Sequence, residues 1–561
     1  TLPGSGQITS SNYGALNNNT FQPLDPGLKY CVGTRVVDFG GNVSDCVSAH
    51  WTGEIEVRRS WLSPCAAGEY CSFGYSVTSA DLNCDGYKDV IIGSPQKRQD
   101  PGADLADGQV YVYFGSNSGI STNASPDLIL KPEKLDGSFG LSVEGIGNFT
   151  GHTGPDADCE DLAISAGYYD YQDLGLSSGA VFIYRGRPQW TTLEMTEGDA
   201  DLAIFYDKDS RPGFELFGSR VSNIGDFNGD GRSDIAVSAP LEVVKGAVFI
   251  YHGQDVPYAN GNQVQFSATA DADAVILGAS VLTGYEYLDG FGESLSAAGD
   301  LDSDGYYDFL IGASGWYSSD GTHDLSGNAY VAFGGDTNDG TVLDVSTPGD
   351  RIARIEKDSS GGIINTNSLG LRVSGLGDIN GDGYLDITVA DPDYGGDVQD
   401  ATEEYGAVYV FFGNSSGFRG MNSVIEIDEA DIWIRSQSGG EDRFGIGLGA
   451  SVEVPGRQLG DFNSDGIADL FVGAAAYAGF DGSVFFLYGD NSLVSSQSWI
   501  DWNAASFWLN PPAPCGKWGE AIGWVGDING DGYNDVAVGD YVYPQICDEN
   551  SEKRGRAAIL Y

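Results

Sequence analysis

The sequence predicts an all-β fold, a seven-bladed β-propeller of four-stranded blades, and three observations predict it. A unit of about 75 residues recurs seven times along the 561-residue chain. The apolar runs inside each unit are short and rich in β-branched and aromatic residues, the composition of strands. Glycine accounts for 82 residues, about twice the ordinary share of roughly 7%, as many tight turns require. Units of this size cannot bury their own faces, so they close best by radial repetition. No stretch carries a long 3.6-residue period, and helices are expected to be few.

The elements follow in order. Residues 1–50 are surplus to the repeat: Asn-, Ser- and Gly-rich at first, then TRVVDFG, with Cys31 and Cys46 as a local clip. This extension reads as a tail packed on the propeller or as an arm reaching a neighbouring molecule, since an added strand is a common route to assembly. The propeller itself is assigned to residues 51–561. Each unit opens on an aromatic-Gly slot, at Phe73, Phe139, Phe217, Phe291, Leu369, Phe444 and Trp518, with spacings of 66, 78, 74, 78, 75 and 74 residues. The cleanest copy runs Phe217-Gly218, DFNGDGRSD, IAVSAP and then GAVFIYHG from Gly246. Corresponding runs are VYVYFG, AVFIYRG, AVYVFFG and SVFFLYG. The last unit stops at AAILY, the third strand of the other units. Its fourth strand is expected from WTGEIEVRRSW, residues 51–61, a closure that leaves no open sheet edge.

Six units carry an acidic loop after the first strand. DLNCDGYKD supplies Asp81, Asn83, Asp85, Tyr87 and Asp89; DFNGDGRSD supplies Asp226, Asn228, Asp230, Arg232 and Asp234. DLDSDGYYD supplies Asp300, Asp302, Asp304, Tyr306 and Asp308; DINGDGYLD supplies Asp378, Asn380, Asp382, Tyr384 and Asp386. DFNSDGIAD supplies Asp461, Asn463, Asp465, Ile467 and Asp469; DINGDGYND supplies Asp527, Asn529, Asp531, Tyr533 and Asp535. Positions 1, 3, 5 and 9 are Asp or Asn, position 6 is Gly, and position 7 offers its main-chain carbonyl. Hard oxygen donors in a tight turn suit Ca²⁺, with Gly at a corner that needs positive φ. The twelfth position of an EF-hand loop, where a bidentate Glu belongs, holds Ile92, Val237, Ile311, Val389, Val472 and Val538. These are therefore nine-residue strand-loop-strand turns that bind Ca²⁺, six in number. A plain Asp-Gly turn explains one copy; six with one spacing argue for a metal. Without a cation, carboxylates about 4–5 Å apart repel by roughly 3–4 kcal/mol per pair at an effective dielectric of 20.

Unit two departs from this pattern. GNFTGHTGPDADCEDLAISAG carries an insertion, with Asn148 in the first ligand place and Asp156, Asp158 and Asp161 crowded later. It is the candidate for a seventh Ca²⁺, and a glycan on Asn148 would exclude that residue as a ligand. Cys84 and Cys159 fall in the loops of adjacent blades, where a bridge is geometrically sensible. Cys515 with Cys547, and Cys65 with Cys71, are further pairings among the 105 that eight cysteines allow.

Aromatic-Gly, acidic loop and a GAP-like tripeptide together resemble the FG-GAP repeats of the integrin α-subunit head. Phe291-Gly292 with DLDSDGYYDFLIGAS and Phe217-Gly218 with VSAP carry the resemblance, which extends from Phe73 to the last residue. It implies a propeller with Ca²⁺ loops on one face, used for protein–protein contact or adhesion. The GAP slot drifts to GSP, ADP, GAA and GDY. Neither integrin leg domains nor a membrane anchor are expected, so integrin function itself does not carry over.

Other classes are disfavoured. Lys plus Arg total 28 against 81 Asp plus Glu, a formal charge of −53, where nucleic-acid binding needs a basic footprint. No apolar run reaches the 18 or more residues of a membrane span. Residues 1–20 lack a signal-peptide pattern, so the chain is expected to be either a processed mature form or cytosolic, and the cysteines help to decide. Scattered cysteines without metal-type spacing suit disulfides, and sequons start at Asn18, Asn42, Asn123, Asn148 and Asn414. The expected location is extracellular, secreted.

Four histidines, His50, His152, His252 and His323, show no zinc-hydrolase spacing. G-x-S-x-G around Ser177 and Ser415 lacks the strand-turn-helix context of a nucleophile elbow. No catalytic residue is assigned. The expected role is a non-catalytic, calcium-stabilised propeller for adhesion, scaffolding or self-assembly into an extracellular polymer, with a protein partner or copies of itself. The alternative is a carbohydrate-binding or carbohydrate-active propeller, a polysaccharide lyase or hydrolase. There Tyr168, Tyr169, Tyr171, Tyr541 and Tyr543 could stack on glycans, although packing against outer strands is the plainer role for them.

Overall fold

In each repeat the second and third strands are continuous apolar runs, and their burial explains why. Leu162–Ala166, Ala180–Tyr184 and Ala247–Tyr251 are buried at every position, because blades cover both faces of these strands. Outer strands such as Leu128–Lys131 and Ala274–Leu277 alternate buried with half-buried positions, the period of a strand covered on one face.

The computed structural model describes residues 59–62, 64, 72–96, 107–120, 124–133, 137–153, 159–170, 178–190, 193–206, 215–241, 245–256, 263–279 and 290–315. It further describes 327–335, 341–346, 351–357, 368–395, 406–415, 417–420, 424–436, 442–449, 460–475, 482–491, 493, 499–501, 507–509, 517–541 and 555–561. All fall within the compact unit Arg58–Tyr561. The 1–50 extension, and with it the clip and the arm, lies outside the described residues.

Seven sheets carry the seven repeats. Blade one is built from Ser76–Ala80, Asp89–Ser94, Gln109–Tyr113 and Leu128–Lys131, inside to outside, all antiparallel neighbours. Blades two to six repeat this order, with inner strands Phe139–Gly145, Val221–Gly225, Phe291–Gly299, Arg372–Gly377 and Phe444–Gly449. Blade seven combines Lys517–Gly526, Asp535–Tyr541 and Arg556–Leu560 with an outer strand from the other end of the sequence, Arg59–Leu62. That strand lies antiparallel to Arg556–Leu560, with Leu62 opposite Ala557. Residues 51–58 lie outside the described residues. Each inner strand touches the next around the whole circle, and that of blade seven touches that of blade one, so the ring is closed.

Five blades exceed the expected four strands. Glu194–Thr196, Val264–Ser267, Thr341–Asp344, Val424–Glu426 and Trp499–Asp501 each add a fifth, parallel strand outside blades one to five. Each comes from the connection between the third and fourth strands of the next blade. Counting apolar runs within one repeat misses them, because the strand is donated across a blade boundary. Donation pairs edge groups that would otherwise be open. Helical structure among the described residues is limited to single turns such as Gly417–Gly420 and Glu197–Asp199. No described helix is long and apolar enough to cross a membrane.

The core lies in the seams between blades. Ala163, Val181 and Ile183 of blade two pack with Ile235, Val237 and Phe249 of blade three in one cluster. The aromatic-Gly slot builds these seams: Phe73, Phe139, Phe217, Phe291 and Trp518 are fully buried. Phe217 meets Phe249 edge-on at 5.6 Å. The glycine of this slot is required by contact as well as by φ, also where Leu369 replaces the aromatic. At Gly370 (φ +83°) a Cβ would sit 2.1 Å from the Asn328 carbonyl oxygen of the preceding blade.

Candidate metal centres

The six acidic loops share one geometry, and the hydrogen bonds show how the sequence produces it. In DLDSDGYYD, Asp300 accepts the Asp304 N–H at 2.9 Å on one oxygen and the Gly305 N–H at 2.9 Å on the other. Asp302 accepts the Asp304 N–H (3.2 Å), and Asp304 accepts the Tyr306 N–H (3.1 Å). These Asx turns wind the loop around its own carboxylates. The first-position contact to the Gly N–H recurs at Asp81, Asp226, Asp378, Asp461 and Asp527, with distances of 2.7–2.9 Å. The fifth position accepts the seventh N–H at Asp85, Asp230, Asp382, Asp465 and Asp531. Gly86, Gly231, Gly305, Gly383, Gly466 and Gly532 hold φ between +87° and +94°, a conformation costly to any residue with a Cβ.

The ninth-position Asp anchors the floor. Asp89, Asp234, Asp308, Asp386, Asp469 and Asp535 are buried, and one oxygen of each accepts the second-position N–H at 2.7–3.0 Å. In blades one and three to six the other oxygen accepts the N–H of the glycine after the third strand: Gly115, Gly253, Gly334, Gly413 and Gly489. Sequence reasoning does not assign these glycines a role, although each closes a run such as VYVYFG or AVYVFFG. The fifth-position carboxylates are exposed. Each loop therefore stacks carboxylates from a dry floor to a wet rim.

The electrostatics follow from this gradient. Burial, with the neighbouring loop carboxylates, pushes Asp234, Asp308, Asp386, Asp469 and Asp535 up to about 8 and Asp89 well above its usual range. Burial also raises Asp81 and Asp461. Oxygens of Asp300, Asp302 and Asp304 lie within 4.8 Å of one another. Asp226 Oδ1 and Asp535 Oδ1 are buried and accept no hydrogen bond. A hard divalent cation is what such a set of carboxylate, amide and carbonyl oxygens suits. The donor chemistry and the two unsatisfied oxygens fit it; a softer metal would call for His or Cys, which the six loops do not supply as ligands. Of the seventh-position residues only the main-chain carbonyl is a candidate donor. The side chains of Tyr87 and Tyr306 instead lean on Gly530 and Gly229 of the preceding loop.

Neighbouring loops are stitched together. The eighth-position N–H of one loop donates to the first-position carbonyl of the loop before it: Glu160 to Asp81 (3.0 Å), Tyr307 to Asp226 (3.1 Å) and Ala468 to Asp378 (2.9 Å). Asn534 reaches the Asp461 carbonyl through its side chain, at 3.1 Å. Cys84 and Cys159 form a disulfide between the first two loops, with Cα atoms 4.6 Å apart. Lys88 pairs with Glu160 beside it. The other six cysteines, Ser177, and Asp156 and Asp158 of unit two lie outside the described residues. Tyr169 and Tyr541 are buried, whereas Tyr168 is exposed; Tyr171 and Tyr543 lie outside the described residues.

Comparison with known proteins agrees with the repeat. The FG-GAP repeat model matches residues 73–113 and 217–251. Integrin alpha-4 of Xenopus laevis is 27% identical over 284 residues, covering 47% of this chain and 23% of that protein. Integrin alpha-5 of Xenopus laevis is 30% identical over 193 residues, 34% of this chain and 16% of the relative. Integrin alpha-M of Mus musculus is 28% identical over 205 residues, 36% and 15% of the two chains. The chain spans less than a quarter of the length of these relatives. It is a seven-bladed propeller with FG-GAP repeats, similar to integrin α subunits.

Proposed function

We propose that this integrin-α-like propeller is a non-catalytic, extracellular contact module whose six acidic loops are filled by Ca²⁺. Asp, Asn and the seventh-position carbonyl of each loop, at the thirty positions named above, are the ligands. The observation that carries the reading is the repeated carboxylate stack: six copies of one turn, each with a buried ninth-position Asp beneath an exposed fifth-position one. Bound Ca²⁺ supplies the counter-charge that lets these carboxylates ionise together. The protein's own part is to fix the oxygens and to hold adjacent loops in register, so that the loop face presents one rigid surface. Similarity to integrin α subunits supports a protein as the occupant of such a surface, whether another protein or a copy of this chain assembling through residues 1–50. The Cys84–Cys159 disulfide suits an oxidising, extracellular setting.

The test is sedimentation velocity and negative-stain microscopy of the full chain in calcium and in EDTA, alone and with the proteins of its native medium. Association that needs calcium is the expected result. A monomer in both conditions that instead releases unsaturated products from acidic polysaccharides, read by their new absorbance, would overturn the proposal in favour of a carbohydrate-active propeller.

A further inference from the structure

Blade two keeps the floor of the acidic loop and replaces what lies above it. Asp161 stands in the ninth position, fully buried. Its Oδ2 accepts the Thr150 N–H at 2.7 Å and its Oδ1 accepts the Gly186 N–H at 3.1 Å. The Gly186 bond is the one that anchors Asp308 and its counterparts, whereas the Thr150 N–H comes from the third position where Leu301 donates from the second. Asn148, in the first ligand place, uses its amide locally: Oδ1 accepts the His152 N–H and Nδ2 donates to the His152 carbonyl.

A buried imidazole faces the floor carboxylate of this loop. His152 Nε2 lies 2.5 Å from Asp161 Oδ1, and both side chains are fully shielded from solvent. Arg185 Nε lies 3.1 Å from His152 Nδ1. A guanidinium N–H can only donate, so Nδ1 accepts and the imidazole proton sits on Nε2, directed at Asp161. The result is a relay in which the positive charge of Arg185 reaches a buried carboxylate through a neutral imidazole. Asp161 Oδ1 then has both lone pairs engaged, by Nε2–H and by Gly186. At the place of Arg185, before the glycine, the other loop-bearing repeats with a described residue there have Phe114, His252, Phe333, Phe412 and Tyr488. His152 and Arg185 are thus peculiar to this repeat.

We propose that blade two is built without a metal, the Arg185–His152 relay supplying the counter-charge that a cation supplies in the six other blades. This rests on the calcium reading of those six loops. The consequence is positional. Blade two stays ordered when calcium is withdrawn, and through the Cys84–Cys159 disulfide and the two contacts of Glu160 with Asp81 it holds the first loop's leading ligand in place.

Native mass spectrometry of the full chain in calcium tests the count: six ions are expected, and seven would overturn the relay. No bound ion at all would instead refute the calcium reading. The relay has its own readout, the melting temperature of His152→Leu and His152→Gln in calcium and in EDTA. A Gln amide can accept from Arg185 and donate to Asp161, so His152→Gln should melt near the unmodified protein. His152→Leu should melt lower by a similar amount in both media, with six ions still bound. Loss of an ion from His152→Leu, or unchanged melting, would overturn the proposal. Should His152→Leu fail to fold, Arg185→Gln takes its place with the same expected and overturning results.

Discussion

Asp304 and Asp308 sit in the same loop and separate two roles that residue type alone would merge. Asp304 is exposed and accepts a local N–H from Tyr306. On the proposed calcium reading, its value lies in binding a cation. Asp304→Ala should therefore change melting little in EDTA and lose most of the calcium-induced rise contributed by that blade. Asp308 is buried and holds two N–H groups, of Leu301 and Gly334. Stranding buried donors costs about 1–3 kcal/mol each, so Asp308→Ala should destabilise by roughly 3 kcal/mol even without calcium. Chemical unfolding in both media checks the pair; equal losses in EDTA would show that the floor and the rim are not distinct. The spacing of the acidic loop was legible in the sequence. The difference between its ninth and fifth positions was not, because burial depends on the glycine that arrives from beyond the third strand.

At the scale of the strand and the seam, glycine placement matters most. A Cβ on Gly312 would lie 1.9 Å from the Gly370 carbonyl oxygen of the next blade. Gly312→Ala should force that seam apart and cost about 1–3 kcal/mol, the usual range for overpacking, read by denaturant unfolding. Melting like the unmodified protein would mean the seam gives way freely. The stitched loops lead to a second expectation. Because Tyr307 N–H donates to the Asp226 carbonyl, ordering the blade-four loop positions the first ligand of the blade-three loop. Calcium binding should accordingly be cooperative, with a Hill coefficient above one by calorimetric titration, and Asp304→Ala should weaken binding at blade three as well. Independent, identical sites would remove this coupling. The fifth strands belong to this scale too. Segments such as TVLD at Thr341–Asp344 look like loop in isolation and become strands only beside the outer strand of the neighbouring blade.

For the whole molecule, the proposed calcium sites and the groups sensitive to pH are the same carboxylates. Asp234, Asp308, Asp386, Asp469 and Asp535 are pushed up to about 8 from an ordinary value of 3.8. The metal-free fold thus holds protons that the unfolded chain releases. Its stability from these groups is fully present below about pH 4 and is lost as pH rises through about 8. Chelation should lower the melting temperature, and the gap between calcium and EDTA should widen from mildly acidic to mildly alkaline pH. A gap independent of pH in scanning calorimetry would contradict this. The number of blades, the acidic turns and the aromatic-Gly slots could be read along the chain, since each repeats and needs only local chemistry. The Cys84–Cys159 pairing was also within reach, both residues falling in adjacent loops. The donated fifth strands, the register of the outer strand Arg59–Leu62 against Arg556–Leu560, and the Arg185–His152–Asp161 relay emerged with the fold. Each of these joins residues from separate strands or blades, and contacts made across space leave no period in a sequence.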